Sequence, residues 1–311
     1  MKGFFINPGE RRLRTGWRLL LFVVMFWLLA SVVFLIKPLL GDITRREFLE
    51  GYSLLIVAVL AVAATVSVYL ARRLLDKKRF RSLGLAWSRR ALLDLAFGFF
   101  LSAAMAGTFL LAALALGVVE VTDIGITSTA KALEASTGFV QFMAIFSVGS
   151  MLVVLLEHVL VGYWEELVFR GYVFQNLREG IGVALAVVVT CGIFGLLHHA
   201  NPNATWLSTA IIVLFGFLRV YGYLVTGMLW LSIGMHIGWN FFQGPIFGFA
   251  ASGHEHATLL TLQKGEPAWL SGGAFGPEGS VLILPILLVT LAIMYRWGRK
   301  SARIHAGTVS G

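Results

Sequence analysis

The chain has a single cysteine, Cys191, set in an apolar run. One cysteine excludes a disulfide framework and any four-cysteine metal site. Charge is scarce as well. Asp, Glu, Lys and Arg make up 13% of the 311 residues, about half the share usual in a soluble domain. Hydrophobic residues make up 58%, and the mean hydropathy is +0.83. So few charges cannot cover a water-facing surface, so the solvent must be lipid. Acids are outnumbered 16 to 25 by Lys and Arg, a formal net charge of +9. That excess could suit nucleic acid, but its placement along the chain gives a different answer.

Uncharged stretches long enough to cross ~30 Å of hydrocarbon recur throughout. They are Leu19–Ile36, Gly51–Ala71, Leu95–Val119, Ala135–Leu156, Gly180–Leu197, Thr205–Leu218, Val220–Phe249 and Gly279–Tyr295. The expected fold is therefore all-α: a single integral membrane domain over residues 1–311, with about eight transmembrane helices. The sixth stretch is short and is interrupted by Arg219, so a count of seven or nine stays open.

Placing the N-terminus in the cytoplasm puts most basic residues on one side. The inner segments hold Lys2, Arg11, Arg12, Arg14 and Arg18, then Arg72, Arg73, Lys77, Lys78, Arg79, Arg81, Arg89 and Arg90. Arg170, Arg178, Arg219, Arg296, Arg299, Lys300 and Arg303 complete twenty inside; Lys37, Arg45, Arg46, Lys131 and Lys264 fall outside. The asymmetry orients both termini to the cytoplasm and reads as topology, not nucleic-acid binding. The first span has no small-residue cleavage site after its apolar run, so it reads as retained. No internal repeat of the transporter kind is visible. The polar connection Ala250–Ser280 is placed outside, and Pro267 and Pro277 argue against a continuous helix there.

An ionisable side chain at bilayer depth costs ~2.5–3.5 kcal/mol on insertion scales and needs a reason. Most such residues fall in one region: Glu157, His158, Glu165, Glu166, Arg170, His198, His199, His236 and, with them, Asn240. Asp94 lies near a helix start and reads as interfacial. Three patterns organise the cluster: Glu165-Glu166-x-x-x-Arg170, Phe194-x-x-x-His198 and His236-x-x-x-Asn240. Each outer pair is four residues apart and shares a helical face. Glu165 is turned about 100° from Glu166, so it can point elsewhere while Glu166 pairs with Arg170. If the fourth helix runs on to the Arg178-Glu179-Gly180 turn, Glu165 and His198 lie within roughly 5 Å of the same depth.

Buried polar groups often only hold helices together. Helix glue needs one donor and one acceptor, whereas two adjacent acids and two histidines at one depth are a surplus. Glu165, His198 and His236 therefore read as functional, and Arg170 as the structural partner of Glu166. His199 reads as a helix-end cap beside Asn201-Pro202, and His158 as lining the same polar seam. The His254-x-His256 pair could bind metal but reads as a solvated surface pair in an exterior loop. Gly234 and Gly238 form a Gly-x-x-x-Gly face suited to close helix packing. Gly244-Pro245 is expected to kink or end its span.

In this order, the motifs resemble those of the CPBP family (CAAX proteases and bacteriocin-processing enzymes, also called Abi), relatives of the type II CAAX prenyl endopeptidase. Phe169-Arg170-Gly171, Thr226-Gly227-Met228-Leu229-Trp230 and Trp239-Asn240-Phe241 add to the likeness, as does Arg12-Leu13-Arg14-Thr15-Gly16-Trp17-Arg18. The resemblance covers roughly Gly162–Phe242, with the catalytic core expected over residues 139–248. The charged Glu157-His158 pair departs from it, since plain apolar residues are expected there.

The resemblance implies proteolysis near or within the membrane, on a membrane-associated or lipidated peptide or protein. Peptide hydrolysis needs a base for water, donors for the oxyanion and a proton for the leaving amine. By resemblance, Glu165 with His198 would activate water. Glu166 would support the site with Arg170, and His236 with Asn240 would hold the oxyanion. The family is commonly named a metalloprotease. His198, His236 and Glu165 also make a zinc set with a place for water, while a metal-free glutamate mechanism uses the same residues. Ligands spread over three helices, with no His-Glu-x-x-His pair on one, favour the metal-free form. Two other classes stay open: a non-catalytic immunity or binding protein, and a proton-coupled transporter with a Glu/His relay. By family habit the expected location is a bacterial cytoplasmic membrane.

Overall fold

The computed structural model describes residues 5–7, 9–10, 12–40, 51–124 and 147–308, with side chains beyond residue 299 left out. Lys2, Arg11, Arg45, Arg46, Lys131 and the first part of the expected span Ala135–Leu156 lie outside the described residues. The protein is an all-α polytopic membrane protein. Among the described residues, four helices are long and apolar enough to cross a bilayer, the first two with mean hydropathies of 3.0 and 2.6, and a shorter apolar helix spans Val183–His198.

Eight helical rods are built from the described residues. They are α1 (Thr15–Ala30, extended by Val32–Ile36), α2 (Ser53–Leu70) and α3 (Arg89–Ala115). α4 (Ser147–Glu166) and α5 (Phe174–Ile181) form one rod, joined by a π-helical stretch, Leu167–Val173. α6 (Val183–His198), α7 (Trp206–Thr226), α8 (Trp230–Phe241) and α9 (Ile283–Thr308) complete the bundle. Two small antiparallel pairs decorate it: Ile6–Asn7 with Arg12–Leu13, and Val119–Ile124 with Leu260–Lys264.

Local sequence sets the breaks. Ser88 caps α3 by accepting from the Ala91 N–H at 3.1 Å. Thr205 and Ser208 satisfy each other's backbone donors at the start of α7, a capping box that fixes where that rod begins. It ends at Gly227 (φ +68°), a left-handed position that glycine fills without a Cβ clash. Arg219 therefore sits well inside α7 and is 3% exposed. This corrects the expected division into Thr205–Leu218 and Val220–Phe249. The rod breaks at Gly227–Leu229 instead, because one guanidinium can stay buried when an acid faces it.

α8 is the most enclosed helix. Residues Leu231–Trp239 are all buried. A Cβ on Gly234 would overlap the Leu95 carbonyl oxygen, and one on Gly238 the Phe99 carbonyl oxygen. The absence of side chains there lets α3 and α8 pack backbone to backbone. The chain ends this rod in another π-helical stretch, Phe242–Ile246, which contains Pro245.

One end of the bundle is held by ions. Asp76 is 2% exposed and takes the guanidiniums of Arg18 and Arg72, each at 2.9 Å, and the Asn176 amide at 3.2 Å. Glu179 pairs with Arg12 at 2.8 Å and with Lys78. Burial alone would raise the Glu179 carboxyl, but the Lys78 ammonium and the Arg12 guanidinium outweigh it and hold it at about 2. Several basic residues expected as loop charges are thus buried partners: Arg12, Arg18 and Arg72 are 8% exposed or less. Asp94 is a buried ion partner too. It is fully buried, paired with Arg90 at 2.8 Å and accepting from the Trp297 indole at 2.7 Å. The opposite end carries the 199–205 turn and the 250–280 connection, tied by the Asn201 amide donating to the Ser252 carbonyl at 3.0 Å.

Candidate active site

A cavity of about 890 Å³ lies toward the end capped by the 250–280 connection. Glu165 from α4, His198 from α6 and His236 and Asn240 from α8 all line it. Glu166, one residue from Glu165, faces away from it and is fully buried. The helical turn between neighbours thus separates the two carboxylates.

Glu166 is the hub of a buried charge cluster. Its Oε1 accepts from Arg170 Nη1 at 3.1 Å and from His236 Nδ1 at 2.9 Å, and Arg219 Nε lies 3.8 Å away. Arg170 is fully buried, lies over the Phe194 ring at 4.2 Å and also donates from Nη2 to the Gly216 carbonyl at 3.4 Å. The π-helical turn that carries Arg170 follows directly on the Glu165-Glu166 pair; such widened turns recur at functional sites.

Both histidines are oriented by their other ring nitrogen. His198 Nδ1 lies 2.7 Å from the Phe194 carbonyl. A carbonyl can only accept, so that nitrogen donates, and in the neutral ring Nε2 is an acceptor. His236 Nδ1 is held by Glu166, and its Nε2 lies 3.8 Å from Glu165 Oε2, too far for a hydrogen bond. Glu165 Oε2 has no hydrogen-bond partner among the described residues.

His158 and Glu157 also line the cavity, with Glu157 accepting from the Ser53 hydroxyl at 3.3 Å. His254 is exposed, and His256 is half-buried. Both line the cavity, and the His256 ring packs against buried His158 with centroids 4.8 Å apart. His199 lies outside the lining set; its Nδ1 is 2.8 Å from the Thr209 hydroxyl and its ring stacks on Trp206.

Two further charged residues, neither among the site residues expected from the sequence, line the cavity. Arg219 enters from α7. Glu278 enters from the far connection, 2% exposed, accepting from the Trp239 indole at 2.9 Å and the Ser252 hydroxyl at 2.6 Å. For Arg219 the available signal was a charge inside an otherwise apolar run. For Glu278 no local pattern existed.

The apolar wall comes from α2. Ser53, Ile56, Val57 and Leu60 face the cavity. Ala58, Val59 and Val62, on the other face, join Leu29 and Val32 around a separate groove of about 330 Å³.

A resident metal would need several of these donors directed at one point. Among the described residues no three His, Cys, Asp or Glu side chains converge closely enough to hold one. His236 Nδ1 is committed to Glu166 and His198 Nδ1 to a carbonyl, which leaves Nε2 of each ring as the nitrogen open to a ligand.

Residues 146–242 match the family described as type II CAAX prenyl endopeptidase Rce1-like. The likeness is confined to this segment. The matched segment holds Glu165, Glu166, Arg170, His198, Arg219, His236 and Asn240, and stops short of the 250–280 connection. YyaK, an uncharacterized protein of Bacillus subtilis (strain 168), is 31% identical over 117 residues, 34% of this chain and 37% of YyaK. The chain thus spans little more than a third of that relative's length. No solved structure matches it.

Proposed function

We propose that the chain is an intramembrane endopeptidase that hydrolyses a peptide bond in membrane-associated or lipidated peptides. The observation that carries this reading is the convergence of Glu165, His198, His236 and Asn240 on one cavity. The match of the same segment to a protease family supports it. In this reading Glu165 takes the proton of the attacking water and later passes it to the leaving amine. A carboxylate shielded from bulk water beside a second carboxylate suits that exchange. His198, its Nε2 available as an acceptor, orients the water. Glu166 and Arg170 hold His236 in place, and Asn240 donates to the oxyanion. The chemistry is assigned to side chains alone. The membrane face carrying the basic network is proposed as cytoplasmic, in a bacterial cytoplasmic membrane.

Substrate-trapping proteomics on membranes tests this, comparing the wild type with Glu165→Gln. Peptides held by the variant and shortened by the wild type are the expected result. A variant that still shortens them refutes the assignment. A wild type that binds peptides and never cleaves them makes the protein a binding module.

A further inference from the structure

Arg219 belongs to none of the three motifs, yet it lines the cavity with Glu165, His236 and Asn240. It is 3% exposed. Its Nε lies 3.8 Å from Glu166 Oε1, beyond hydrogen-bond reach. Its Cζ lies 5.6 Å from the Phe194 ring centre and 5.8 Å from that of Phe215. Its guanidinium makes no hydrogen bond to another described residue. Arg170 already fills the structural role, with direct bonds to Glu166 and to the Gly216 carbonyl. A second guanidinium held in low dielectric with unused donors is costly, and the cost is recovered when an anion meets them.

In peptide hydrolysis one anion forms on the substrate, the tetrahedral oxyanion. His236 donates from Nδ1 to Glu166, so in the neutral ring its Nε2 is an acceptor and has no proton to offer an oxyanion. We infer that Arg219 is a catalytic residue that, with Asn240, holds the oxyanion formed when water adds to the scissile carbonyl. This rests on the peptidase reading above. As the water oxygen bonds to the carbonyl carbon, the C=O electron pair moves onto oxygen beside Arg219. Collapse of that adduct breaks the C–N bond, and Glu165 returns the proton to the departing nitrogen.

The test uses the full chain in liposomes with a fluorogenic peptide bearing a farnesylated cysteine, its unprenylated counterpart, and a phosphinate peptide as the tetrahedral isostere. Arg219→Gln should lower kcat by about 10²–10³ with KM within about threefold, and weaken phosphinate binding by the same factor. A residue that merely supports the fold would lower the yield or Tm and leave phosphinate affinity relative to KM unchanged. Folded Arg219→Gln with kcat within about fivefold of wild type, or with full phosphinate affinity, overturns the inference. Should that variant not accumulate, Arg219→Lys keeps the charge facing Glu166 and loses the planar fork. It should drop at least about tenfold in both kcat and phosphinate affinity, and wild-type values overturn the inference. A wild type that neither cleaves the peptides nor binds the phosphinate refutes the peptidase reading itself. A cleaving wild type matched by Arg219→Gln refutes the role of Arg219 alone.

Discussion

Replacing Arg170 by Met removes the nearer of two guanidiniums from a carboxylate that has no access to solvent. The pair is 3.1 Å apart with both side chains fully buried. At an effective dielectric of ~20 the attraction at that distance is about 5 kcal/mol, against about 4 kcal/mol for Arg219 at its longer separation. Breaking a buried pair by deleting one partner typically costs ~3–5 kcal/mol. Because Arg219 remains, the expected loss lies near the lower end, about 3 kcal/mol, with the lost stacking on Phe194 included. Reversible unfolding in mixed micelles, followed by tryptophan fluorescence, reads this directly. The double variant Glu166→Gln with Arg170→Met also strips buried Arg219 of its facing acid and should be less stable than the single variant. A single variant within about 1 kcal/mol of wild type, or a double variant more stable than the single, would show that Glu166 does not hold the cluster together.

Glu165→Gln, in folded protein, should lower peptide turnover by at least ~10², the usual share of a general base; steady-state kinetics that show full activity refute the assignment. Reporter fusions at Lys77 and Gly272 should give opposite signals, and matching signals would sink the proposed orientation. Since the Glu179 carboxyl is held at about 2, below its ordinary value near 4.5, its stabilisation is complete above pH ~4.5. It is lost as pH falls toward 2. Glu179→Gln should therefore flatten the fall in Tm across that window; an unchanged acid limb counts against the ion network. Gly238→Val should cost ~1–3 kcal/mol by overpacking, measured by the same unfolding assay, because the side chain meets the α3 backbone.

Much of the bundle could be read from apolar runs, since in lipid a helix is the way an isolated segment satisfies its own backbone. The separation of Glu165 from Glu166 follows from the 3.6-residue turn alone. The continuous rod through Glu179 and the tight α3–α8 contact follow from equally local patterns. Arg219 misled because a charge in an apolar run has the same local signature at a membrane surface as in a buried pair. Its true place depends on Glu166, 53 positions away in sequence. The 250–280 connection was illegible for the same reason. Glycine-rich segments carry little local preference, and this one is folded by distant partners: Trp239 on Glu278, Asn201 on Ser252 and His158 on His256. The pairing of residues 119–124 with 260–264 joins segments far apart in sequence and has no turn between them to announce it.

The wall made by α2 has a mechanical corollary. This helix packs chiefly on α1 and α4 and presents one face to the chamber and the other to the outer groove. Among the described residues, the partition between the chamber and that outer groove is therefore a single helix, about 10 Å across. A tilt that parts α2 from α4 turns a closed chamber into a slot continuous with the acyl chains, so a tethered guest could slide in sideways without its tether leaving oil.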